Sequence, residues 1–100
     1  MSKEKIYRKT KEGLEEIEGY IYKGFAIYKE NKNNRWYLLV TDGYNKGIVL
    51  WDGKTLKRVK ESVDELESMK ITSDIINKNE FGTDIRKKIA ELRNKYWLEY

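Results

Sequence analysis

The chain has 100 residues, 39% hydrophobic and 38% charged, and its 21 Lys+Arg against 17 Asp+Glu leave a net charge of +4. That length suits one domain, and 13% aromatics supply the large buried area a short chain needs, which argues against disorder. With neither Cys nor His in the sequence, disulfide frameworks, thiolate chemistry, and the usual neutral-pH general base and metal ligand are excluded.

No run approaches the roughly 18 apolar residues of a membrane span, and no apolar segment follows the basic start, so a cytoplasmic protein is expected. Lys outnumbers Arg, and Ile and Asn are frequent, which suggests an AT-rich coding sequence.

Within a first segment of residues 1–13, residues 1–11 carry Lys3, Lys5, Arg8, Lys9 and Lys11 against Glu4, with Ile6 and Tyr7 as the large apolar groups. Gly13 weakens any helix here, so a mobile basic N-terminal arm is expected, attached to a single α+β domain over residues 14–100. The charge then reverses at Glu12, Glu15, Glu16 and Glu18.

The aromatic-rich stretch from Tyr20 to Trp51 is cut into short apolar runs by turn residues. Ile17, Ile21, Phe25 and Ile27 share one parity, with Tyr20, Tyr22 and Tyr28 on the other. Lys23 falls on the apolar side beside Gly24, which predicts a bulge or bend that splits the first strand into two pieces. Asn31–Asn34 is a turn, since Asn tolerates the left-handed backbone of tight reversals. Arg35–Asp42 is the central strand, apolar on both faces and so covered on both sides at least in part. A five-residue hairpin loop, Gly43–Gly47, leads to a third strand, Ile48–Asp52.

Beyond it, Leu56, Val59, Val63 and Leu66 have helical spacing and allow a start at Thr55. The pattern Ser62-Val63-Asp64-Glu65 matches a capping box, and the expected helix therefore begins at Ser62 and runs to about Met69. Thr72–Gly82 is read as a loop with at most a short helix around Ile75–Ile76. Thr83 caps a last helix striped with Ile85, Ile89, Leu92 and Tyr96, its opposite face bearing Arg86, Lys87, Lys88, Arg93 and Lys95. The expected fold is thus a three-stranded antiparallel β-meander followed by two α-helices.

Gly53-Lys54-Thr55 resembles the end of a phosphate-binding loop, but the earlier Gly is out of place and a strand stands where the loop should be. Asp42, Asp52, Glu61, Asp64, Glu65 and Glu67 lack any converging partner for acid–base or metal work, and a charge-rich helix face is ordinarily solvated. The chain is therefore expected not to be an enzyme, and no cofactor or metal is expected.

The aromatic set carries the functional expectation. If Ile21, Phe25, Ile27, Trp36, Leu38, Val40, Ile48 and Leu50 face a helix, then Tyr20, Tyr22, Tyr28, Tyr37 and Trp51 line the other side, with Tyr44 at the hairpin tip. Such a face suits a partner protein, because Tyr and Trp dominate binding hot spots. Lys23, Lys29 and Arg35 lie close by, and with Arg86, Lys87 and Arg93 of the last helix they are candidate nucleic-acid contacts. The other reading is that the C-terminal helix covers this face, with Tyr96 and Trp97 completing a core.

The order Tyr22-Lys-Gly-Phe-Ala-Ile-Tyr28, then Trp36-Tyr37, then Asp52-Gly-Lys-Thr55 and a capped helix resembles small accessory proteins of phages and mobile elements in AT-rich Gram-positive bacteria. That group includes anti-CRISPR proteins. The resemblance covers residues 20–69 and implies an inhibitor or modulator that binds a host nucleic-acid-handling complex. A second, partial likeness is to sheet-type DNA-binding modules such as the three-stranded arm domains of phage integrases, which implies direct contact with nucleic acid.

Overall fold

A computed structural model describes residues 3–79 and 82–97, with the side chain of Trp97 outside the described residues. Five strands and three helices follow in order: β1 Glu4–Thr10, β2 Gly13–Tyr22, β3 Phe25–Glu30, β4 Arg35–Leu39, β5 Val49–Gly53, α1 Leu56–Ser68, α2 Ser73–Lys78 and α3 Thr83–Trp97. The strands pair antiparallel in the order β1-β2-β3-β4-β5. The α+β class is as expected, but the sheet has five strands rather than three, and three helices follow it.

The first correction is at the N-terminus. What reads as a basic arm is β1, paired with β2 from Glu4↔Gly19 to Thr10↔Gly13. Lys5 lies opposite Glu18, Tyr7 opposite Glu16 and Arg8 opposite Glu15. The reversal of charge between residues 3–11 and 12–18 is therefore cross-strand complementarity, with opposite charges set facing each other. Ile6, 3% exposed, anchors the hairpin.

β2 pairs with β1 through Gly19 and with β3 from Tyr20 onward. Gly19 stands at that change of partner, where a Cβ would lie 2.4 Å from the Ile27 carbonyl oxygen and 2.5 Å from Ile6 Cδ1. Only Gly permits so close an approach. The β1–β2 hairpin consequently folds over one face of the sheet, and its far end is tied by Lys9 N–H to the Gly47 carbonyl at 2.9 Å.

Lys23 and Gly24 form no bulge. Both have positive φ, 50° and 85°, and Tyr22 pairs with Phe25 across them. This two-residue reversal, with both central residues left-handed, matches the twist of the flanking strands. It also exchanges parity, so that Tyr20 and Tyr22 share a face with Phe25 and Ile27 while Ile21 joins the other. Between β4 and β5 the register shifts at Leu38/Leu39. Leu50 is the extra residue there, and both Leu50 and Trp51 reach the helix side.

Two apolar layers result. Phe25, Ile27, Leu38, Val40, Leu50 and Trp51 pack beneath α1, α2 and α3. On the reverse face Ile6, Ala26, Tyr28 and Leu39 form a second cluster, flanked by Ile17, Ile21, Tyr37 and Val49. The central strand is covered on both sides, as its doubly apolar pattern predicts.

The helix α1 begins at Leu56 with Thr55 as its cap, the Thr55 hydroxyl accepting from Arg58 N–H at 3.1 Å. The start expected at Ser62 is wrong because both members of that apparent capping box are engaged elsewhere. Ser62 is buried, donates to the Val59 carbonyl and accepts from the Trp51 indole. Glu65 is held by Lys95 and Tyr96. The short helix at Ile75–Ile76 and the α3 stripe of Ile89, Leu92 and Tyr96 are as expected.

Candidate binding surfaces

The sheet face proposed for Tyr28 and Tyr37 is occupied. Their rings stack 5.3 Å apart, and Tyr28 is 6% exposed. Arg8 of β1 donates to the Tyr28 hydroxyl at 3.1 Å, to Glu30 at 2.9 Å and to Glu15 at 2.8 Å. Bonds to Glu15 and Tyr28 raise the Arg8 pKa above its ordinary value, so this clamp stays charged. Burial raises the Tyr28 hydroxyl, with Arg8 opposing it. The cover on this face is β1, not the C-terminal helix.

Trp51 is fully buried on the other face. It stacks on Tyr96 at 6.0 Å and donates to the Ser62 hydroxyl at 2.8 Å. The C-terminal helix does complete a core with Tyr96, but beneath Trp51 and not over the Tyr28 face. Trp51 is thus a core residue and not a contact residue. Tyr22 is half-buried and tied to α1, its hydroxyl donating to Asp64 at 2.9 Å. Lys23, expected to touch nucleic acid, is paired with Asp64 at 2.8 Å and Glu67 at 3.4 Å. The bond to Asp64 raises the pKa of Lys23, and in turn Lys23 and Tyr22 hold the Asp64 carboxyl below its usual range. Arg35 is likewise engaged, with Nε 2.8 Å from Asp52, which is 2% exposed.

What remains open is a corner. Tyr20 and Trp36 are half-buried, their rings 6.1 Å apart and tilted by 35°. They line a cleft of about 320 Å³ edged by Lys3, Lys29, Glu18 and Asn31. The cross-strand pairing Lys29↔Trp36 places the ammonium stem beside the indole. Trp36 was expected in the helix-facing core, and it does pack against that core's margin. Among the sequence candidates, this corner brings together Tyr20 and Lys29 and adds Trp36 and Lys3. Trp36 stands near the start of β4, one residue past Arg35.

Tyr44 stands at the tip of the β4–β5 hairpin, 86% exposed. On α3, Arg86 and Lys87 are exposed, whereas Arg93 is half-buried with Nε donating to the Leu50 carbonyl at 2.9 Å. Arg86 and Arg93 edge a second cleft, of about 310 Å³, between α3 and the β4–β5 hairpin.

Among the described residues no group of three or more acidic side chains sits together as a metal site. The Gly53-Lys54-Thr55 segment joins β5 to α1, with Thr55 spent as the helix cap. No helix of the described residues is long and apolar enough to cross a membrane. Comparison with protein-family models, curated proteins and solved structures finds no match.

Proposed function

We propose that this chain is a non-enzymatic phage or mobile-element accessory protein that binds a host nucleic-acid-handling complex and modulates or inhibits it. On this reading it acts in the host cytoplasm and touches the complex's single-stranded nucleic acid through the Tyr20–Trp36 corner. The observation that carries the reading is that aromatic pair, half-buried and flanked by Lys3 and Lys29. Two rings held by a sheet present stacking surface at little entropic cost, and bases stack on aromatic side chains whatever their sequence. The ammonium groups suit a sugar–phosphate backbone beside the stacked bases. Glu18, on the same cleft, keeps phosphates away from its own wall and so favours a path along the Lys29 side.

The alternative, a small sheet-type DNA- or RNA-binding module with a basic arm, has less to rest on, since helices pack on one face of the sheet and the β1–β2 hairpin on the other. The protein-contact version of the reading keeps one exposed anchor from the original set, Tyr44.

The test is fluorescence anisotropy of a labelled oligothymidylate at two salt concentrations, with wild type, Tyr20→Ala, Trp36→Ala and Tyr28→Phe. Stacking is worth about 1–3 kcal/mol per base, so each of the first two variants should weaken binding by roughly fivefold to a hundredfold or more. Tyr28→Phe should not. Affinity should also fall with salt, by a log–log slope of about −0.7 per phosphate contacted. Absence of binding at low salt ends the nucleic-acid part of the proposal. Recovery of a host protein that depends on Tyr44 would then move the contact to the hairpin tip.

A further inference from the structure

We propose that the cleft between α3 and the β4–β5 hairpin receives one apolar side chain from an acidic segment of a partner protein. This goes beyond the nucleic-acid contact above and uses a different part of the surface. The floor is apolar, built by Val40, Ile48, Leu50 and Ile76 from the sheet side and α2, and by Ile89 and Ala90 from α3. At about 310 Å³ the cleft lies at the bottom of the range for small-molecule sites, and interface anchors are side chains that fill well-packed pockets.

The rim decides what flanks that side chain. Arg86 and Arg93 lie two turns apart on α3 and edge the same opening, with Asn45 of the hairpin contributing an amide. Among the described residues that line it, none is acidic. Arg93 is held in place by its Nε bond to the Leu50 carbonyl. On the opposite, exposed side of the helix Lys87 and Lys88 alternate with Asp84 and Glu91, so the positive charge that matters here is that of the two arginines at the rim. An apolar anchor followed or preceded by Asp or Glu complements both the floor and the rim, whereas a basic segment would meet like charge. Guanidinium groups suit carboxylates in particular, because their planar donors match the two oxygens.

The experiment is a selection of random linear peptides displayed on filamentous phage against the folded, full chain, repeated with Ala90→Trp, Arg86→Glu and Trp36→Ala. Ala90 is an exposed helical position lining the cleft, so a Trp there fills it while keeping the helix. Circular dichroism checks each fold. Peptides enriched on the wild type should carry an aromatic or aliphatic residue flanked by Asp or Glu. Their retention should drop about tenfold or more on Ala90→Trp, the loss expected when a hot-spot pocket is closed. On Arg86→Glu the acidic preference should weaken or reverse. Trp36→Ala should select the same peptides as the wild type, which separates this cleft from the nucleic-acid corner. No enrichment, enrichment without acidic flanks, or peptides retained equally by Ala90→Trp would each overturn the proposal. Loss of oligothymidylate binding in Trp36→Ala with peptide selection unchanged would support both assignments independently.

Discussion

Replacing Ile6 by Ala tests whether the N-terminal segment is part of the fold. Ile6 is 3% exposed and packs in the reverse-face cluster with Ala26, Tyr28 and Leu39. The substitution removes three carbons, worth about 0.8 kcal/mol each in transfer free energy, or roughly 2.4 kcal/mol. A cavity contribution adds to this. Two of the neighbours, Gly19 and Ala26, have too little side chain to fill the gap. The hairpin can shift inward somewhat, so the expected loss is about 3 kcal/mol, within the range of about 2–5 for such truncations. In a domain of this size that corresponds to a fall in Tm of about 12–24 °C. Urea unfolding followed by Trp fluorescence gives the free energy directly. The neighbouring exposed Lys5→Ala should stay within about 0.5 kcal/mol of wild type. If Ile6→Ala were equally silent, β1 would not hold the sheet face and the account of Tyr28 as covered would fail.

Gly19→Ala should also destabilise, by about 1–3 kcal/mol, because its Cβ meets a backbone carbonyl that cannot swing aside; the same urea assay measures it. Trp51→Phe leaves Ser62 without its indole donor and opens space under Tyr96, and a loss of about 1–3 kcal/mol is expected. The pH dependence has two signed components. Burial raises Glu65, but the Lys95 and Tyr96 bonds outweigh it and hold the carboxyl below its usual 4.5. Its contribution is therefore present above pH 4.5 and lost as pH falls further, so Glu65→Gln should flatten the acid limb of stability against pH. Burial and the Glu65 bond push Tyr96 above its usual 10. That contribution is present below pH 10 and lost as pH rises through the folded value, and Tyr96→Phe should flatten the alkaline limb in thermal melts.

The strands β3 to β5, the turns between them and the α3 stripe were legible because alternation and turn chemistry agreed there. The facing of the side chains was not, and the cause is the Lys23-Gly24 turn. A two-residue reversal pairs even with odd positions, whereas a bulge in one continuous strand does not. The error placed Tyr20, Tyr22 and Trp51 with Tyr28 and Tyr37, on a single surface that does not exist. The Leu50 bulge compounded it by turning both Leu50 and Trp51 toward the helices. β1 was missed because one buried Ile is a faint apolar signal. Its visible mark was electrostatic, a Lys/Arg run facing a Glu run across Lys11-Glu12-Gly13. The Ser62 capping box failed for a tertiary reason, since Trp51 and Tyr96 claim its two members from distant elements. Of the site residues, Tyr20 and Lys29 are legible as candidates and meet in space, whereas the parity that Trp36 shares with Leu38 points to the core.

The most direct test of the binding account is a ¹⁵N NMR titration of the protein with oligothymidylate. The Tyr20–Trp36 corner predicts that the largest shifts fall on the Trp36 indole N–H and on the amides of Tyr20, Lys29 and Asn31, and that they shrink as salt is raised. Shifts confined to α3, or none at an excess of oligonucleotide in low salt, would contradict it.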